Sequence, residues 1–119
     1  MRDLVKAFKS LSDETRVRIL NLLLERECCV CEVMQALDIS QTRASRNLNV
    51  LYDAGYLKKR KDGLWTLYSI NPEYIKNYMP DIIEVVKKAL VDNDITALDL
   101  ERLKKAERMW PSCASKSRR

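Results

Sequence analysis

The sequence predicts a mainly helical domain with one β-hairpin, and three observations carry that expectation. Leu, Lys, Glu and Arg abound while Gly numbers 2 and Pro 3, a balance that favours helix. Apolar residues recur at helical spacing along most of the chain. The exception is a strand-like stretch around Asp62-Gly63. At 119 residues the chain suits one compact domain. Residues 1–110 are read as that domain, with 111–119 as a flexible basic tail.

Each element follows from local pattern. Leu4, Val5, Phe8 and Leu11 mark a first helix over 3–10. Ser12-Asp13 offers an N-cap for a second helix over 13–25, whose apolar stripe is Val17, Ile19, Leu20, Leu23 and Leu24. Glu25-Arg26-Glu27 reads as a turn, and Val33, Met34 and Leu37 mark a third helix over 30–37. Ser40 caps a fourth helix over 41–54, which Gly55 ends. Residues 57–61 and 64–70 then form a hairpin about the turn Asp62-Gly63. Asn71-Pro72 restarts helix, with Tyr74, Ile75 and Tyr78 ahead of Pro80, which should break or kink it. Ile82, Ile83, Val86 and Leu90 continue at helical spacing, and Asp92-Asn93-Asp94 reads as a break. Thr96 with Asp99 resembles a capping box for a last helix carrying Leu100, Leu103, Ala106 and Trp110, stopped by Pro111.

Two helices across a tight turn, followed by a basic hairpin, outline a winged helix-turn-helix. The fourth helix passes a projection test. At about 100° per residue, Gln41, Thr42, Ser45, Arg46 and Asn49 fall within an arc of about 140°. Ala44, Leu48 and Leu51 lie on the opposite, core-facing side. Gln and Asn suit adenine edges, Arg suits guanine or phosphate, and Ser and Thr suit phosphate. A merely solvated face would carry more Glu and Lys.

Charge points the same way. The net charge is +5, and residues 41–61 hold Arg43, Arg46, Lys58, Lys59, Arg60 and Lys61 against the single acid Asp53. Such clustering is the footprint of a phosphate-binding surface. Lys59 and Lys61 are read as wing contacts to DNA, and Trp65 and Tyr68 as packing the wing onto the domain. A charged edge strand kept soluble by Lys is the plainer alternative.

The second candidate site is sulfur. Cys28, Cys29 and Cys31 fall within four residues at the start of the third helix. Thiolates select thiophilic ions. A helix N-terminus is expected to lower thiol pKa. The N-terminus lacks the apolar run of a signal peptide, and no stretch is long enough to span a membrane. A cytoplasmic protein with reduced cysteines is therefore expected. With 0 His, no Gly-rich phosphate loop and no nucleophile–base pair, the chain does not read as an enzyme. A thiol-exchange enzyme, a metallochaperone and a thiol-based redox sensor remain rivals that clustered cysteines alone would serve.

Three stretches resemble the ArsR/SmtB family of metal(loid)-responsive repressors. They are Leu11-Ser12-Asp13-Glu14-Thr15-Arg16-Val17-Arg18-Ile19-Leu20, Ser40-Gln41-Thr42-Arg43-Ala44-Ser45-Arg46-Asn47-Leu48 and Gly63-Leu64-Trp65-Thr66-Leu67-Tyr68. The likeness spans residues 4–90. It implies a homodimer with the first and C-terminal helices at the interface, an inverted-repeat operator, and release on binding an inducer. It places Gln41, Thr42, Ser45 and Arg46 where DNA is met. Asn47 departs from the family, which commonly has His there.

Glu27-Cys28-Cys29-Val30-Cys31-Glu32-Val33 resembles the box of that family's arsenite, cadmium and lead sensors, with Cys29 and Cys31 on its two cysteines. The arsenite branch often adds a third cysteine where this chain has Met34. Cys28 or Cys113, the latter from either subunit, is left to supply the third sulfur. Trivalent arsenic or antimony needs three thiolates, whereas cadmium, lead or zinc prefers a fourth ligand. The sequence thus leads to an arsenite- or antimonite-released repressor of a metal(loid)-resistance operon. A cadmium-, lead- or zinc-responsive one, or a redox-sensing one, is the alternative.

Overall fold

The computed structural model describes residues 1–73 and 76–109. The helices are α1 (Arg2–Ser10), α2 (Glu14–Glu25), α3 (Val30–Leu37), α4 (Gln41–Asp53), α5 (Met79–Leu90) and α6 (Asp94–Lys105). Strands β1 (Leu57–Asp62) and β2 (Trp65–Ile70) form an antiparallel hairpin between α4 and α5. The mainly helical fold with one hairpin is as expected.

The helices begin where side chains can satisfy their free N–H groups. Asp13 accepts from the Arg16 amide at 3.1 Å to open α2. Ser40 accepts from the Arg43 amide at 3.2 Å to open α4. Asp38 closes α3 in the left-handed region at φ 56°. That residue turns the chain sharply into Ser40, so α3 and α4 pack against each other across a tight turn. Gly55, at φ +98°, leads from α4 into the hairpin.

Ile19, Leu20 and Leu22 of α2, Val33 and Ala36 of α3, and Ala44, Leu48 and Leu51 of α4 are buried together with Leu57 and Leu67 of the hairpin. This core fixes α4 from one side and leaves its polar arc outside. Tyr56, fully buried at the root of β1, donates its hydroxyl to the Ala7 carbonyl at 3.0 Å and so ties the hairpin root to α1.

Several local expectations need correction. The hairpin turn lies one residue later than read, because Asp62 pairs with Trp65 and leaves Gly63-Leu64 as the loop. Gly63 supplies the positive φ of +63° that this loop requires. Residues 71–73 are not helical, and Pro80 opens α5 instead of breaking a helix. Proline suits the first helical turn, where its missing N–H would have no partner. Tyr74 and Ile75 lie outside the described residues.

The capping box at Thr96 and Asp99 does not form. Asn93 caps α6 by accepting from the Thr96 amide at 3.0 Å. Asp99 is buried and takes a two-pronged ion pair from Arg18 at 2.7 and 2.9 Å, joining α6 to α2. The last helix stops at Lys105, with Ala106 as its cap. Trp110, Pro111 and the tail at 111–119 fall outside the described residues.

Candidate nucleic-acid interface and thiol site

The polar arc of α4 is on the surface. Thr42, Arg46 and Asn49 are exposed, and Gln41 and Ser45 are half-buried. Gln41 donates to the Ser45 hydroxyl at 3.2 Å, so neighbouring members of the arc already order one another. The opposite side buries Ala44, Asn47, Leu48 and Leu51.

Arg43 and Asn47 belong to a different job. Arg43 donates to the Thr15 hydroxyl at 2.9 Å. Asn47 donates to the Arg43 carbonyl at 2.9 Å and accepts from Arg16 at 3.1 Å. Arg16 also donates to the Ser10 carbonyl at 2.7 Å. One polar chain therefore runs from the end of α1 through α2 to α4 and fixes the rotation of that helix. Asn47 is a spacer within the protein, not a member of the exposed arc.

The wing presents its charge. Only Leu57 of β1 is buried, and Lys58, Lys59, Arg60 and Lys61 are exposed. Lys59 and Lys61 stand on one face, opposite Tyr68 and Thr66 of β2. Lys59 also lies over the Tyr52 ring, 4.3 Å from its centroid, which couples the wing to the end of α4. Tyr68 is buried, as the packing role requires, and Trp65 is half-buried.

The cysteines lie between these two surfaces. Cys28 is fully buried, and its backbone exchanges both hydrogen bonds with Tyr68, at 3.0 and 2.8 Å. The residue therefore adds a third, one-residue rung to the wing sheet. Its thiol donates to the Arg26 carbonyl at 3.5 Å. Cys29 is the N-cap of α3. Its sulfur faces the Glu32 amide, and the Glu32 carboxylate accepts from the Cys29 amide at 2.9 Å. This is a capping box with sulfur in the place of a hydroxyl. Cys31 is buried one turn in, and its carbonyl accepts from Gln35 at 3.0 Å.

The expected lowering of thiol pKa is overturned. Burial pushes Cys28 up to about 12. Burial raises Cys29 as well, outweighing the amide of Glu32, which favours the thiolate. Desolvation of a charge exceeds what one helix start returns. Among the described residues, no three Cys, Asp or Glu side chains are gathered into a metal-holding cluster. Cys28 and Cys29 are free thiols that point inward as packing and capping groups. Cys31 is disulfide-bonded, so the expectation of reduced cysteines does not hold for it in this structure, and its sulfur becomes a thiolate ligand only on reduction. Cys113 lies outside the described residues.

Charged groups that the sequence reading passed over surround the cysteines. Arg26 donates to Glu32 at 2.9 Å. Arg60 of the wing pairs with Glu27, the residue before Cys28. Arg108 pairs with Asp62 at 3.0 Å and approaches Glu32 at 3.7 Å. Glu32 was findable, since it stands three residues after Cys29 at the spacing of a capping box. The Arg26 and Arg108 pairings depend on tertiary placement and have no local signature.

Comparison with known proteins agrees with this arrangement. Residues 13–59 match the family described as bacterial regulatory protein, arsR family. Over 101 residues the chain is 39% identical to the arsenic resistance transcriptional regulator ArsR1 of Pseudomonas putida, covering 84% of this chain and 75% of that one. The chain belongs to the ArsR family. It is also 44% identical, over 75 residues, to a cadmium resistance transcriptional regulatory protein CadC homolog of Staphylococcus aureus, covering 62% of each. Among solved structures, HlyU from Vibrio cholerae superposes with a TM-score of 0.66 at 25% identity, covering 76% of this chain and 95% of that one. As an ArsR-family winged helix-turn-helix, the molecule is a transcriptional regulator, with α4 as its reading helix and the β1–β2 hairpin as its wing.

Proposed function

We propose that this ArsR-family regulator is a homodimeric repressor of a metal(loid)-resistance operon. It holds an inverted-repeat operator through Gln41, Thr42, Ser45, Arg46 and Asn49 of α4 and Lys59 and Lys61 of the wing. Trivalent arsenic or antimony releases it by binding Cys29 and Cys31, with a third sulfur from Cys28 or Cys113. The observation that carries this reading is the thiol segment's attachment to both reading elements. Cys28 is hydrogen-bonded into the wing sheet, and the helix that Cys29 caps packs on α4. Drawing these sulfurs into one coordination sphere requires the start of α3 to rearrange. That motion reaches the wing through Tyr68 and α4 through its packing.

Exposed apolar side chains support a dimer built on the terminal helices. Val5 and Phe8 of α1 and Ile95 and Leu98 of α6 are all exposed in the single chain. Among the described residues no helix is long and apolar enough to cross a membrane, and the chemistry proposed needs a reducing cytoplasm.

The test is an arsenite titration of the reduced dimer on its own upstream DNA. Release is expected, with a coupling of about 1–3 kcal/mol or more. Unchanged operator affinity overturns the reading. Likeness to a cadmium resistance regulator supports cadmium, or lead or zinc, as the second choice of inducer. The same titration with each ion ranks them.

A further inference from the structure

Beyond α4 and the wing, a third group of cations sits on α1. At about 100° per residue, Arg2, Lys6 and Lys9 fall within an arc of about 60° on that helix. All three are exposed, and among the described residues none of them is in an ion pair. The acid of α1, Asp3, lies off this arc and meets Lys76 at 3.4 Å. Val5 and Phe8, also exposed, occupy the neighbouring arc. The outer side of α1 is therefore divided lengthwise into a basic stripe and an apolar stripe.

The basic stripe borders the reading helix. Together with Arg16 of α2 and Val50 and Asp53 of α4, it lines an open cleft of about 630 Å³. Val50 and Asp53 stand one helical turn beyond Arg46 and Asn49, on the same faces of α4. The cleft thus opens beside the exposed polar arc. Arg43, itself exposed, follows Arg46 around the helix and donates to the Thr15 hydroxyl at 2.9 Å. The next residue, Arg16, ties the end of α1 to α4 through the Ser10 carbonyl at 2.7 Å and Asn47 at 3.1 Å. Cations continue in this way from Arg46 through Arg43 and Arg16 to Lys9, Lys6 and Arg2. Against them, among the described residues, Asp53 is the one carboxylate lining the cleft.

We infer that the basic stripe of α1 is a further phosphate-binding surface, which holds the backbone of operator DNA beside the groove that α4 reads. The inference rests on the reading of α4 and the wing as the DNA-contacting elements. Charge complementarity and continuity with the arc of α4 select DNA as the occupant. Long cationic side chains that nothing in the fold fixes suit phosphates better than base edges, so the contact adds affinity and register without sequence. The apolar stripe of Val5 and Phe8 is left for the second copy of the chain. α1 would then serve the dimer with one stripe and the duplex with the other.

The experiment measures DNA affinity of the full-length dimer between about 50 and 200 mM salt. Arg2→Gln/Lys6→Gln/Lys9→Gln removes the charges with residues of similar helix propensity. Its plot of log operator affinity against log salt should be flatter than that of the wild type by more than the about 0.9 of a single phosphate contact. Affinity for an unrelated duplex should fall by the same factor as affinity for the operator, because phosphates carry no sequence. Arg46→Ala should instead reduce the preference for the operator.

A flattening smaller than one contact's worth would overturn the inference, and a normal loss in Arg46→Ala would show that the α4 reading survives it. Wild-type operator binding in Arg46→Ala would remove that reading as well. Equilibrium sedimentation supplies the remaining arm, with the triple variant expected to dimerise as the wild type does. Weaker dimerisation would place the stripe in the seam between copies and overturn its assignment to DNA.

Discussion

The reading helix and the thiol segment are neighbours built on opposite plans. α4 opens with the Ser40 cap, buries Ala44, Leu48 and Leu51, and turns its polar arc outward. α3 opens with the Cys29 cap and turns its chemistry inward, with Cys28, Cys29 and Cys31 all buried. The first surface is ready for its partner without rearrangement. For the proposed ion binding, the second would have to break its own capping box before its sulfurs could meet an ion. Under the proposed function, the DNA face is preformed and the inducer site is not, so the protein would bind DNA first and let go later. On that proposal, the free energy of forming arsenic–sulfur bonds would have to exceed the cost of unmaking the start of α3, and that difference would shift the equilibrium.

This contrast can be broken most sharply at the thiols. Cys29→Ser/Cys31→Ser should keep operator binding and lose the response to arsenite altogether, measured by anisotropy of labelled operator. A doubly substituted protein that still responds would show that the inducer acts elsewhere. The complementary change, Arg46→Ala, should cost operator affinity about 1–3 kcal/mol, or roughly 5–150-fold. Its arsenite affinity should equal that of the wild type. If both affinities fall together, the two regions are not separable in the way the structure separates them.

How far each region was legible in the sequence follows from the same contrast. The exposed arc of α4 is a property of one helix, and helical periodicity alone puts Gln41, Thr42, Ser45, Arg46 and Asn49 together. The N-caps at Asp13 and Ser40 are equally local. The direction of the cysteines is not local. Spacing marked them as a cluster, but whether they face solvent or core depends on tertiary partners such as Tyr68, forty residues from Cys28. The pKa expectation failed for this reason, since the helix-start effect is visible in sequence and the burial that outweighs it is not. Asp99 was read as a cap from its spacing with Thr96. Its true partner, Arg18, lies 81 residues off. Likewise Asn47 marked a departure from the family, and only the fold shows it bonded to Arg16 and Arg43.

Asn47 gives the third prediction. Asn47→Ala removes a buried amide that accepts from Arg16 and donates to the Arg43 carbonyl, taking two hydrogen bonds from the polar chain while Arg16 keeps its bond to the Ser10 carbonyl. Loss of such buried bonds typically costs about 1–3 kcal/mol. Chemical denaturation should show that loss. Operator affinity should fall with it, because the rotation of α4 is no longer fixed. A destabilised variant with unchanged DNA affinity would show that the core stripe alone orients the reading helix.

The smallest effect tests whether the thiol segment touches the wing through charge as well as through the Cys28–Tyr68 rung. Glu27 holds Arg60 in an ion pair, and both side chains are accessible to water. The pair's own contribution to folding is therefore slight. Its consequence lies in electrostatics toward DNA, since Arg60 paired with a carboxylate is a partly neutralised cation. Glu27→Gln frees it. Each additional phosphate neutralised by a protein cation steepens the fall of log affinity with log salt by about 0.9. Operator affinity of Glu27→Gln should rise a few-fold at low salt, with a slope steeper by up to about that amount. Arsenite affinity should be unchanged, because neither Cys29 nor Cys31 loses a partner. An unaltered salt slope would mean that Arg60 faces away from the phosphates, leaving Lys59 and Lys61, on the other face of the strand, as the wing's working charges.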